Sequence, residues 1–150
     1  MSTIAKLKTN IQTDPAVMGY SGKTDQEVLD LLTAKTRTRN KILSSKPLLK
    51  FVMAESRLDK IKDASVNHAS PAIRSVCLGA LIMLNDPEYE FDPDDSDSIG
   101  LLNALVGGGV WDSVIDKDAL LAKATENISR MEEIEISGRI GPTDIQKARA

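Results

Sequence analysis

The densest set of oxygen ligands in the chain is Asp92-Pro93-Asp94-Asp95-Ser96-Asp97. A calcium loop of the EF-hand type needs glycine at its sixth position and a bidentate glutamate at its twelfth. Counted from Asp92, those positions hold Asp97 and Asn103, so the motif fails. The stretch reads as a solvated acidic loop that caps the following helix, with a weak cation site of another type as the alternative. Gly107, Gly108 and Gly109 are no phosphate cradle, because no Gly-Lys-Ser/Thr follows them. They read as a helix stop, with a conformational hinge as the functional option. His68 is the single histidine and has no triad or metal-spaced partners nearby, so a loop position is expected. Cys77 sits between Val76 and Leu78, whereas a reactive thiolate wants an electropositive, partly exposed site. A packed core cysteine is the expectation. No paired carboxylates, zinc spacing or nucleophile elbow stands out. The sequence therefore predicts no catalytic residues, no metal, no cofactor and no enzyme.

One charged run remains. Lys35, Arg37, Arg39 and Lys41 alternate with Thr36, Thr38 and Asn40. Three readings fit: a helix end with solvated charges, an inter-subunit salt-bridge site, or a phosphate-backbone contact. No aromatic stacking platforms accompany the run. The chain carries a net charge of −3 and a pI near 5.2, which argues against nucleic acid as the partner. The partner-binding candidates are thus Lys35, Arg37, Arg39 and Lys41 together with Asp92, Asp94, Asp95 and Asp97. Matching the acids of one copy to the cations of the next would close a heterologous ring.

Composition sets the frame that must position these groups. The 150 residues suit a single domain over 1–150 with a sizeable core. Only 3% are aromatic, and the richness in Ala, Leu, Ile, Lys, Asp and Ser leans towards helix. One cysteine excludes an internal disulfide. No apolar run of about 18 residues suggests a membrane span, and the N-terminus lacks an apolar signal core.

Local signals then divide the chain. Ile4, Leu7 and Ile11 predict a helix over 3–13, stopped at Asp14-Pro15. Thr24-Asp25-Gln26-Glu27 is a capping box opening a helix over 25–36. Residues 37–45 are ambiguous between helix and loop. Pro47, capped by Ser44 or Ser45, begins a helix with a broad, mostly buried apolar face, and 58–64 are its tail or a separate turn. Ser70-Pro71 opens the most apolar segment, 72–84, hydrophobic nearly all round and expected to be a central, enclosed helix. Gly79 is expected to permit a close crossing there. A helix over 99–106 ends at the glycines, with Val110 and Trp111 folded back on the core. Asp116 or Asp118 is expected to cap a long polar helix reaching about 134, and Gly141-Pro142 opens a last one. The prediction is an all-α, compact single-domain bundle of six or seven short helices, with at most an edge pair formed by 134–136 and Ile140.

Several segments resemble a loose family of small tailed-bacteriophage proteins. They are LKTNIQTDP, the 19–40 block GYSGKTDQEVLDLLTAKTRTRN, ISRMEEI and the closing GPTDIQKARA. Members show a TD-x-E-V/A-x-x-x-L-N type helix start, a SRAEEL-type segment and a GDV-x-x-AR-type ending. Thr24-Asp25 with Glu27-Val28 and Leu31-Leu32, Ser129-Arg130 with Glu132-Glu133, and Thr143-Asp144-Ile145 with Ala148-Arg149 carry the likeness. The middle of the chain, from about 43 to 110, has no counterpart. The resemblance implies a setting among virion and tail genes and supplies no site residues. The expected function is a non-enzymatic structural or assembly component of a virion, in the tail or baseplate–fibre region. Its partners would be other phage structural proteins and copies of itself, after synthesis in the host cytoplasm. The alternative is a non-virion phage protein, such as a tail-assembly chaperone or a small inhibitor of host defence.

Overall fold

The computed structural model describes residues 2–150. The all-α class holds: among the described residues there are nine α-helices, one π-helical stretch and a single two-stranded sheet. In chain order these are α1 (Thr3–Thr13), α2 (Asp25–Thr33), β1 (Arg37–Asn40), α3 (Ser45–Met53), α4 (Arg57–Asn67), α5 (Pro71–Leu84) and α6 (Ser96–Gly107). The π-helix (Ser113–Asp118), α7 (Ala119–Lys123), β2 (Thr125–Ile128), α8 (Arg130–Glu133) and α9 (Pro142–Arg149) follow. The helices outnumber the six or seven expected because the 116–134 stretch is broken into pieces. The chain forms two compact units. One comprises residues up to 39 together with 127–150, and the other comprises 40–126. Strands β1 and β2 pair, and each carries one passage of chain between the units.

In the first unit, local capping sets the helix starts. The Ser2 hydroxyl accepts from the Ala5 amide at 3.2 Å and opens α1. The Thr24–Glu27 box is formed in both directions, at 3.2 and 3.4 Å. Helix α2 stops at Thr33, short of the expected 36. There the Thr33 hydroxyl bonds back to the Leu29 carbonyl at 2.9 Å. Beyond it, β-branched Thr36 and Thr38 offer no apolar stripe, and 37–40 run as a strand instead. Leu7, Tyr20, Val28, Leu32, Met131, Ile136, Ile145 and Ala148 form the core, with α9 packed on α1 and α2. Ile136 is buried in this core, so 134–136 form no edge strand.

In the second unit, α4 and α5 form the principal helix pair, and Phe51, Val52, Ile61, Cys77, Leu102, Trp111 and Leu120 fill the interior. Trp111 stacks edge-on against Phe51, with centroids 6.4 Å apart. Cys77 is fully buried, as its apolar neighbours predict, and burial pushes its thiol pKa up. Val110 and Trp111 do fold back onto this core.

Three expectations fail in this region. The apolar pattern at Leu120, Leu121, Ala124, Ile128 and Met131 has helical spacing but is not one helix. Asp112 is the cap: its carboxylate accepts from the Val114 and Ile115 amides, both at 2.8 Å, and opens the π-helix. The Thr125 hydroxyl turns back to the Ala122 carbonyl at 2.8 Å, the chain extends as β2, and a Ser129–Glu132 capping box starts afresh. Gly79 meets nothing where a Cβ would stand. The close approach is at Gly108, where a Cβ would lie 2.8 Å from Ile73 Cδ1. Finally, α5 is not enclosed. Ile82 is 73% and Leu78 52% exposed, because the other elements cover only the Cys77 and Ala80 side of the helix.

Candidate functional site

The exposed side of α5 is the second unit's unusual surface. Leu78 and Ile82, one turn apart, stand beside Leu81 and form one bank of an open groove; Leu58 and Lys62 of α4 form the other. Leu49 of α3 also lines it. The helix is apolar nearly all round, so whichever side the core does not take remains hydrophobic. Lys62 is the one charged group lining this groove among the described residues. On α3, Lys46, Leu49, Lys50 and Met53 share the helical spacing of one face and are all exposed.

The charged candidates are distributed differently from the expected interface. The Arg37 guanidinium grips Glu133 at 2.6 Å through Nε and 3.2 Å through Nη2. Lys35 lies 3.3 Å from Glu132. Both cations thus have carboxylate partners within the first unit. The hydrogen bond from Arg37 holds the Glu133 carboxyl below its ordinary range, and the same pair raises Arg37. Lys41 donates its backbone N–H to the Ala124 carbonyl at 2.8 Å, and Arg39 sits in β1. In the acidic loop, Asp92 accepts from the Asp94 amide, and Asp94 accepts from the Asn40 side chain at 2.8 Å. Asp95 caps α6 through the Ser98 amide at 3.1 Å, with Asp97 in the first turn. Among the described residues no group of three or more His, Cys, Asp or Glu side chains comes together as a metal site.

His68 is not a plain loop residue. It caps α4, its Nδ1 accepts from the Ser70 amide at 3.0 Å, and its Nε2 lies 2.7 Å from the Gly108 carbonyl. With Nδ1 accepting, the proton sits on Nε2 and donates to that carbonyl. Gly107 ends α6, Gly108 is pinned by His68 and Ile73, and Gly109 takes a left-handed φ of +73°. The three glycines end α6 as a helix stop.

Two buried polar networks went unread in the sequence. In the second unit, Asp116 is completely buried and accepts from Arg57 Nε at 2.8 Å and from the Asp112 amide at 2.7 Å. Arg57 also donates to the Phe51 and Ile115 carbonyls, each at 3.0 Å, and lies over the Phe51 ring at 3.8 Å. In the first unit, Arg130 donates to Asn10 at 2.9 Å and pairs with Glu133, and the Asn10 amide donates to the Tyr20 hydroxyl at 2.8 Å. Burial raises the Tyr20 pKa. These networks satisfy their own charges and act as scaffolding. Leu78 and Ile82 of the groove are among the exposed large hydrophobics of the second unit. No helix among the described residues is long and apolar enough to cross a membrane. No family model, curated protein or solved structure matches the chain.

Proposed function

We propose that this chain is a non-enzymatic structural or assembly component of a tailed-phage particle, acting through protein–protein contacts in the tail or baseplate–fibre region. The observation that carries the interaction role is the uncovered apolar face of α5, with Leu78 and Ile82 open to solvent. Contiguous exposed apolar surface marks a place where another molecule docks. The phage setting is supported by the resemblance of the 19–40 block, the Ser129–Glu133 segment and the closing stretch to small tailed-phage proteins. Arg37 and Lys35 are already paired with Glu133 and Glu132 within their own unit, which speaks against those cations as contacts to another copy.

The same groove would also serve a tail-assembly chaperone or an inhibitor of host defence, since both hold a partner through an apolar surface. Mass spectrometry of purified virions, with copy number set against the major capsid protein, separates the readings. A stoichiometry matching three-, six- or twelvefold symmetry is expected. Abundance in infected lysate with absence from particles would turn the assignment to the chaperone or inhibitor.

A further inference from the structure

We propose that the groove between α4 and α5 receives an acidic amphipathic helix of a partner protein. The inference rests on the reading of the α5 face as an interface and goes on to name what lies in it. The shape argues for a helix. Leu78 and Ile82 are spaced one helical turn apart on one bank and Leu58 and Lys62 one turn apart on the other, so the walls are two helical ridges. A third helix inserts its own apolar ridge between such walls, reading as anchors at i, i+3, i+4 and i+7.

Charge decides which helix. Lys62 lines the groove, while Lys46 and Lys50 flank Leu49 on the exposed face of α3. Among the described residues no carboxylate pairs with any of the three. An apolar trough flanked by uncompensated ammonium groups repels a basic helix and favours one whose apolar stripe is edged by Glu or Asp. Among the described residues the acidic amphipathic helix is α2, and its apolar stripe is buried at Val28 and Leu32 and so closed to a second copy. A heterologous partner is the occupant.

The test uses the full-length protein and two labelled synthetic helices of about 14 residues, matched in length to α5. One carries a leucine stripe edged by glutamate; the other has lysine in place of glutamate. Fluorescence anisotropy is expected to show the acidic peptide binding at least about tenfold more tightly. Lys62→Glu should erase or reverse that preference. Ile82→Glu should abolish binding while the circular dichroism stays unchanged, because the side chain is exposed. Val17→Glu, on an exposed residue of the first unit, should change nothing. Equal binding of the two peptides, binding of neither, or binding indifferent to Lys62→Glu would overturn the proposal. So would a dimer seen by sedimentation that Ile82→Glu disperses, since a second copy would then cover the face. These outcomes are independent of whether virions contain the protein: virion incorporation without peptide binding would leave the assembly role and remove this occupant.

Discussion

The two units solve the same problem, an arginine in the interior, in different ways. In the second unit Arg57 and Asp116 come from one continuous stretch, are both almost inaccessible, and are enclosed by backbone carbonyls and the Phe51 ring. In the first, Arg130 joins Asn10 across 120 residues of sequence, and its carboxylate partner Glu133 is partly exposed and shared with Arg37. The first network thus works as a tie between the two ends of the chain, closing a long loop, while the second is an interior strut. A fully desolvated pair tolerates no loss of a partner, whereas a half-exposed one lets water stand in.

Substitutions in the two networks should differ in cost. Asp116→Ala strands the Arg57 guanidinium and the Asp112 amide, and should cost about 3–5 kcal/mol in chemical denaturation. Hydrogen exchange should then quicken first across 40–126. Asn10→Ala leaves the Tyr20 hydroxyl and Arg130 each short of a partner, and should cost about 1–3 kcal/mol. Its exchange signature belongs to 2–39 and 127–150. Identical exchange patterns for the two variants would dissolve the distinction between units.

The pH dependence is gentler. Glu133 has a folded pKa below its unfolded value, so its contribution is present above about pH 4.3 and is lost as pH falls through the lower folded value. Arg37→Gln should cost little at neutral pH, because the pair is about a third exposed. It should also flatten the acid limb of a denaturation series. An unchanged acid limb would mean that Arg130 alone holds Glu133 down. The smallest effect is expected between α3 and α4, where Glu55 and Ser56 both take left-handed φ values, +55° and +58°. Ser56→Gly relieves one of them and should raise stability by up to about 1 kcal/mol, read as a higher thermal midpoint.

Much of the secondary structure was legible because it is written in neighbours. The Thr24–Glu27 box, Ser70-Pro71 and the 3–13 stripe each act within one or two turns, and each forms where the pattern places it. The break at Thr125 was also present locally, in the Ser129-x-x-Glu132 box, but the helical spacing of Leu120, Ala124, Ile128 and Met131 masked it. The candidate groove was not legible. A helix apolar on every side gives no indication of which side the core will cover.

By itself, then, the sequence determined the helical class, most helix starts and the burial of Cys77 and Trp111, because propensity, capping and apolar content act over short range. Long-range packing brings Arg57 to Asp116 and Arg37 to Glu133 and leaves Leu78 and Ile82 facing water. Those outcomes depend on which surfaces compete for the same interior, and that competition is settled between residues far apart in the chain.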